Sequence, residues 1–156
     1  AGMAYYSFNV GAFELPFPIH ENLRLYKLFF VDSGLMCAMM LNGIQAQVLS
    51  GDIDVNEGAL TENYVAGEFA KHGISLNYYD RKSKHELDFI FPEKNKISIV
   101  EVKSGKDYKQ HASLDMAHSL FADKINRRIV MSGNNLEIED GCIYLPFYMS
   151  MFLGGE

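Results

Sequence analysis

Two consecutive strand-like segments, in the stretch HELDFIFPEKNKISIVEVKSG at residues 85–105, carry two acids and a lysine that could act together. Asp88 lies on the first segment, and Glu101 and Lys103 share one face of the second, because side chains alternate along a strand. A turn centred on residues 94–95 would put Asp88 directly opposite Glu101, with Cβ atoms roughly 5 Å apart. The spacing therefore predicts two carboxylates at close range, with a lysine one pleat further on.

Two carboxylates at that distance repel each other unless a cation lies between them. Mg²⁺ or Mn²⁺ suits one or two carboxylates together with water and a substrate phosphate. Such a site hydrolyses phosphate esters, because the ion activates a water and a neighbouring lysine stabilises the transition state. We therefore predict Asp88 and Glu101 as metal ligands and Lys103 as the catalytic lysine. Glu62, on the inward face of the preceding helix, would complete the metal shell.

The same residues are also compatible with an ordinary solvated hairpin. Glu-x-Lys is a common pattern on strands, and most such pairs are exposed charge pairs worth less than about 1 kcal/mol. An acid on an inward helix face needs a partner, but that partner can be a structural ion pair as well as a metal. The residues by themselves leave both interpretations open.

The rest of the chain predicts the elements that would position these residues. Strands are expected at 5–10, 26–31, 75–79, 86–91, 97–103 and 127–132, and helices at about 33–41, 56–71 and 114–124. Residues 14–23 and 133–141 are expected to be loops, and a strand followed by a short helix or tail is expected from residue 142. This order predicts an α/β or α+β sheet with helices packed on it.

The 156 residues include 14 basic and 20 acidic ones, which gives a formal net charge of −6. A chain with this balance is not a basic nucleic-acid clamp, so contact with phosphates would need a local patch. Arg81, Lys82, Lys84 and Lys106 lie on loops near the acids; they either bind substrate phosphates or simply solvate those loops. With no signal peptide and no apolar run of about 20 residues, a soluble cytoplasmic protein without a membrane partner is predicted.

An acid on a helix, an Asp on one strand and Glu-x-Lys on the next resembles the PD-(D/E)XK nuclease superfamily. Over most of its length the chain also resembles the domain of unknown function found C-terminal to the AAA+ module in a large group of bacterial and archaeal ATPases. Five phrases carry this resemblance in order and spacing: YKLFFVDSGLM (26–36), GALTENYVAGEF (58–69), YYDRKSKHELDFIF (78–91), IVEVKSG (99–105) and GCIYLPFYM (141–149).

The resemblance implies a PD-(D/E)XK-like, restriction-endonuclease-like α/β core with a mixed sheet flanked by helices. Carried over to this chain, the nuclease-like site of that superfamily falls on Glu62, Asp88, Glu101 and Lys103, with Mg²⁺ or Mn²⁺ as the cofactor. These are the residues that the strand and helix patterns also select. Members of the superfamily include both active nucleases and inert scaffolds, so the fold leaves the activity open.

The resemblance further implies that an AAA+ ATPase module precedes this domain in the same longer protein, since the chain has no G-x-x-x-x-G-K-[ST] phosphate loop of its own. Residues 1–55 would be the end of a connecting, winged-helix-like region, and residues 56–156 the nuclease-like domain. Two functions follow as alternatives: a Mg²⁺- or Mn²⁺-dependent nuclease acting on DNA, or a catalytically silent module that binds DNA or protein for the ATPase. Metal binding separates them, because only a working site requires it.

Overall fold

The computed structural model describes residues 2–39, 57–81 and 85–154. Its strands are β1 (Ala4–Val10), β2 (Glu21–Phe30), β3 (Asn77–Asp80), β4 (Glu86–Glu93), β5 (Lys96–Lys103), β6 (Ile125–Ser132), β7 (Glu137–Glu139) and β8 (Cys142–Pro146). Its α-helices are α1 (Ser33–Met39), α2 (Glu57–Lys71) and α3 (Ala112–Phe121), and short 3₁₀ turns cover Phe17–Ile19 and Phe147–Phe152.

The eight strands form one mixed sheet in the order β2-β1-β3-β4-β5-β6-β8-β7. The pairs β1–β2, β3–β4, β4–β5 and β7–β8 are antiparallel, whereas β1–β3, β5–β6 and β6–β8 are parallel. The predicted mixed sheet is therefore confirmed, and β4 and β5 lie at its centre, where both faces can be covered.

Helices cover the two faces of the sheet and give two cores. On one face α2 buries Val65, Ala66 and Phe69 against strand residues that include Phe89 and Val100. On the other face α3 buries Leu114 and Ala117. They pack in a second core against four strand residues, Ile90, Ile97, Ile99 and Val130. The three buried α2 residues are spaced as residues on one helix face are, which is why α2 packs on the sheet by that face. With helices on both faces of the sheet, the fold has three layers.

The β4–β5 hairpin has the predicted turn. Glu93 pairs with Lys96, so Lys94 and Asn95 form a two-residue turn, and their φ angles are 50° and 63°. Positive φ at both central residues is the geometry that matches the twist of the flanking strands in a tight hairpin. The register that follows pairs Phe89 with Val100, and it sets the relative position of the acids at the far end of the hairpin.

Several predicted boundaries were wrong by two residues or more. Strand β2 begins at Glu21 instead of 26, because Leu23 and Leu25 extend its apolar alternation and only Pro16 and Pro18 mark a loop. Glu137–Glu139, expected to be loop, pair with β8 as a three-residue strand. Helix α3 begins at Ala112, with His111 as the cap residue, ahead of the predicted start at 114.

The boundary predicted at residue 55 lies outside the described residues and stays a prediction. In the structure, β1 and β2 belong to the same sheet as the strands that follow residue 57. Phe29 of β2 packs in the same core as Phe69 of α2. Among the described residues, none of the helices has the length and apolar character needed to cross a bilayer.

Candidate functional site

Strands β4 and β5 bring Asp88 and Glu101 together at the end of the hairpin away from the turn. The ladder ends at the pair Phe89–Val100, one residue short of both acids, and the charge of Glu101 acts on Asp88. The backbone N–H of Val102 donates a 2.8 Å hydrogen bond to Asp88 Oδ2 and fixes this carboxylate against β5. The turn predicted at residues 94–95 is the one observed, whereas Asp88 directly opposite Glu101 is not one of the ladder pairs and stays a prediction.

Helix α2 brings Glu62 to the same place. The side chain of Asn63 accepts a 2.7 Å bond from the Phe30 N–H and donates a 3.1 Å bond to the Phe30 carbonyl, which ties the helix to the end of β2. Glu62, the preceding residue, then lies beside the β2 side chain Lys27. The predicted acid on the inward helix face therefore has a partner, and that partner is a lysine.

Lys27 lies in the middle of an acidic cluster, a name used here for Glu62, Glu86 and Asp88. Its Nζ is 2.6 Å from Glu62 Oε1 and 3.8 Å from Asp88 Oδ1, and it forms a further ion pair with Glu86. It also lies 5.4 Å from the centroid of the Tyr78 ring, within cation–π range. One oxygen from each of the three acids lies within 4.8 Å of the others, so the cluster has the spacing of a cation site.

The charges in this cluster perturb one another. Burial alone would lower the pKa of the Lys27 ammonium, but Glu62 and Asp88 outweigh this effect and raise it above its usual value. Burial and the charge of Glu62, with a smaller contribution from Glu101, raise the pKa of Asp88 from 3.8 to about 7, despite the opposing effects of Lys27 and of the Val102 N–H. Acids outnumber cations here, and Asp88 responds most strongly.

Glu101 and Lys103 form the second half of the site, on β5. Lys103 Nζ lies 2.6 Å from Glu101 Oε1, and the Glu101 side chain is 9% exposed. Its other oxygen, Oε2, is buried and has no hydrogen-bond partner among the described residues. An unpartnered buried carboxylate oxygen is costly, because its hydration is lost without replacement, so the atom is suited to a ligand that the described residues do not supply.

The candidate substrate-binding residues are only partly brought together. Arg81 follows β3 and is exposed, whereas Lys82 and Lys84 lie outside the described residues. Lys106 lines a surface depression of about 260 Å³ together with Lys103 and Tyr108. Lys103, a predicted catalytic residue, and Lys106, a candidate substrate-binding residue, therefore line the same depression next to the acids.

Lys27 and Glu86 are the site residues that the sequence reasoning did not assign to the site. Lys27 is separated from its acids by 35 or more positions along the chain, so no local spacing reveals the contact. The signal was nevertheless present in the run LYKLFFV, where Lys27 is the one charged residue among apolar and aromatic neighbours. A lone lysine in such a run needs an acid partner, and Glu62 on an inward helix face was in need of a cation.

A larger pocket, of about 670 Å³, lies at the opposite end of the β4–β5 hairpin and contains none of the predicted site residues. Glu93 and Arg127 contribute to its lining, and they form an ion pair 2.7 Å long. Ser98 and Asn126 also donate to Glu93. The acid in this pocket is already satisfied by the chain, so the pocket offers no equivalent of the open Glu101 oxygen.

Comparison with known proteins gives one match. The family model described as Domain of unknown function (DUF4143) matches residues 57–149, which is more than half of the chain and spans all of the candidate site except Lys27. Neither the curated proteins nor the solved structures contain a match. The matched span begins at α2, runs through both strands of the acidic hairpin and ends in the 3₁₀ turn after β8. The chain therefore belongs to the family described as Domain of unknown function (DUF4143).

Proposed function

We propose that this chain is a nuclease-like domain of the PD-(D/E)XK type that hydrolyses DNA phosphodiesters with Mg²⁺ or Mn²⁺ and serves an AAA+ ATPase module of a longer protein. One observation carries the proposal: Glu101 Oε2 is buried and has no partner in the described part of the chain, and its neighbour Asp88 is a second carboxylate, whose pKa is raised to about 7. Strongly perturbed acids that converge at one place are typical of sites that do chemistry.

The donor set fits a hard divalent cation. The described residues of the site include four carboxylates, the three of the acidic cluster and Glu101, and the two ammonium groups of Lys27 and Lys103. The formal balance is a deficit of about two positive charges, which one Mg²⁺ or Mn²⁺ would supply. Carboxylate oxygens are also the ligands that these ions prefer over nitrogen or sulfur.

Each residue then has a role. Asp88 and Glu101 would hold the metal ion, and Glu62 would complete its shell. Such an ion, when bound, polarises a phosphate oxygen and lowers the pKa of a coordinated water. Lys103 is held beside Glu101 at 2.6 Å, where its ammonium can stabilise the charge that develops on the phosphate as the P–O bond to the leaving group breaks.

The surface next to the site supports a phosphate-bearing substrate. Lys103 and Lys106 line the same depression, which opens to solvent beside the acids. Lysines contribute to the electrostatic, sequence-independent part of DNA binding. Because the chain as a whole is acidic, this local patch is where the backbone of the nucleic acid would be accepted.

Calorimetric titration of Mn²⁺ into the 156-residue chain tests the metal site, with Glu101→Gln as the site variant. We expect saturable binding by the wild type and at least about tenfold weaker binding by the variant, which removes a ligand charge. Glu137→Gln is the matched control, because Glu137 is an exposed acid on β7 that pairs with Lys109 and is not one of the proposed metal ligands. A folded wild type that binds no Mn²⁺ would overturn the proposal.

A cleavage assay on labelled double- and single-stranded DNA then tests the reaction. Lys103→Ala should lose activity by about a hundredfold or more while still binding Mn²⁺, since it removes a charge used on the phosphate and not a metal ligand. Lys71→Ala is the control, because Lys71 is exposed and pairs only with Glu68 on α2.

A second function has its own supporting observation. Lys27 already neutralises part of the acidic cluster, as a structural ion pair in a catalytically silent module would. The chain would then bind DNA or a protein partner for the ATPase without cleaving it. Saturable Mn²⁺ binding with loss in Glu101→Gln favours the nuclease, whereas DNA binding that is independent of metal, without cleavage, favours the silent module.

A further inference from the structure

Lys27 reaches the site from β2, a strand that lies outside the span matched by the family, and it takes a position that a cation would otherwise take. Oxygens that bind one Mg²⁺ at about 2.1 Å are at most about 4.2 Å apart. The oxygens of the acidic cluster lie within 4.8 Å of one another, only slightly wider than such a shell. The ammonium of Lys27 fills this space, 2.6 Å from Glu62 and in an ion pair with Glu86.

Lys27 is held in this position by more than the acids. In the β1–β2 ladder it pairs with Ser7, and its Nζ lies over the Tyr78 ring of β3, two strands away. Its side chain is 24% exposed, so it is withdrawn from solvent along most of its length. A lysine that was merely solvating a strand face would extend into water, because its ammonium is strongly hydrated.

The two sides of the site differ in how completely their carboxylates are paired. On the Glu62 side every acid has a contact with Lys27. On the Glu101 side Lys103 contacts Oε1, and Oε2 has no partner within residues 2–39, 57–81 and 85–154. Among the described residues, the open carboxylate oxygen of the site is therefore that of Glu101.

Building on the proposed function, we propose that Lys27 is a resident counter-ion that occupies the acidic cluster in place of a second divalent cation, so that the site takes a single metal ion at Asp88 and Glu101. Lys27 is thus a positioning residue: it fixes Glu62 and Asp88 and sets the number of ions bound. Removing its charge turns the acidic cluster into a second metal site, with Asp88 shared between the two ions.

The stoichiometry of Mn²⁺ binding, measured by calorimetry and by equilibrium dialysis, tests this inference. We expect about one ion per chain for the wild type and about two for Lys27→Met, a neutral side chain of similar length. Lys27→Arg keeps the charge and should stay at about one ion, and so should Lys27→Met/Glu86→Gln, which removes a ligand of the added site. Lys71→Met is the matched control, because it deletes an exposed lysine charge that pairs with Glu68 and is not part of the acidic cluster.

The outcomes separate this inference from the proposed function. About two ions on the wild type, or no added ion on folded Lys27→Met, would overturn the role of Lys27 and leave the metal site at Asp88 and Glu101 intact. No ion on the wild type with one on Lys27→Met would uphold Lys27 as a counter-ion and overturn the proposed function. If Lys27→Met does not fold, Lys27→Gln replaces it, and the wild-type stoichiometry still decides.

Discussion

The two ends of the β4–β5 hairpin each carry an acid, and the chain treats these acids in opposite ways. At the turn end, burial alone would raise the pKa of Glu93, but hydrogen bonds from Ser98, Asn126 and Arg127 outweigh it and lower the pKa below its usual value. At the far end, burial and the neighbouring acids raise the pKa of Asp88 to about 7. In one hairpin, therefore, the fold stabilises the charged form of Glu93 and destabilises the charged form of Asp88.

Burial acts to raise the pKa of both acids, and the two differ in the donors that oppose it. The side chains of Glu93 and Asp88 are 23% and 21% exposed, so solvent reaches them to a similar extent. Glu93 receives donors from three residues, including a guanidinium, whereas Asp88 receives one backbone N–H and shares a single lysine with two other acids. A structural acid is supplied with all the donors it needs, and an acid left short of them is a candidate for function.

The largest effect that would sharpen this comparison concerns Asp88. Its pKa in the folded chain is about 7 against a usual value of 3.8, so its contribution to stability is fully present below pH 3.8 and is lost as the pH rises to 7. Asp88→Asn removes the charge and keeps an oxygen for the Val102 N–H. The wild type should therefore lose stability relative to the variant as the pH rises. Measured in EDTA to remove metal ions, the free energy of unfolding of the variant minus that of the wild type should rise by up to about 4 kcal/mol between pH 4 and pH 8.

Urea unfolding of both proteins at several pH values measures this difference. Lys27 keeps its contacts with Glu62 and Glu86 in the variant, so its ion pairs do not explain the result. A difference that stays flat, or that falls as the pH rises, would show that Asp88 is not strained and would remove the contrast with Glu93.

A smaller effect of opposite sign is expected at the turn end. Glu93→Gln removes the charge that pairs with Arg127 and leaves donors of Ser98 and Asn126 facing an amide. We expect a loss of about 2 kcal/mol in the free energy of unfolding at pH 7, since hydrogen bonds to a charged group contribute about 1.5–3 kcal/mol. Because the pKa of Glu93 is lowered, the loss should be present above pH 4.5 and disappear as the pH falls.

Glu137→Gln is the control for this measurement. Glu137 pairs with Lys109 on the surface, and Lys109 also contacts Glu139, so the change should cost less than about 0.5 kcal/mol. Equal losses in the two variants would mean that Glu93 is no more than a surface charge.

The sequence predicts the hairpin well because its determinants are local. Alternating apolar residues mark the strands, and the polar turn at Lys94 and Asn95 sets a register that places Asp88 beside Glu101. The donors of Glu93 were harder to find, since Asn126 and Arg127 come from β6, which pairs with β5 only after α3 has crossed the sheet. Contacts of this kind depend on strand order, which residue patterns do not specify.

The same reason explains what was missed at the site. Glu62 was recognised because its place on the inward face of α2 follows from the helical period. Lys27 was not, because its contact with Glu62 requires β2 to lie next to β1 at the edge of the sheet and α2 to be tied to its end by Asn63. The short strand β7 was also missed, since three residues carry too little periodicity to be read.

The smallest effect concerns the turn that joins the two ends. Lys94 has φ of 50°, a left-handed conformation that a lysine adopts at a cost, whereas asparagine and glycine tolerate it. Lys94→Asn should therefore stabilise the protein by about 0.5 kcal/mol, and Lys94→Asn/Asn95→Gly, which creates the preferred Asn-Gly turn, by about 1 kcal/mol. Lys96→Asn is the control, because Lys96 lies on β5 without a positive φ, and it should give no gain.

The pH dependence of the stability of the turn variants also tests the contrast between Glu93 and Asp88. The turn residues are not donors to Glu93 and lie at the opposite end of the hairpin from Asp88, so unfolding free energies of the variants should be displaced upward by the same amount at every pH. A gain that depends on pH would mean that the turn alters the surroundings of one of the acids. The hairpin would then behave as one electrostatic unit, and the strain at Asp88 could not be assigned to the acids and lysine around it.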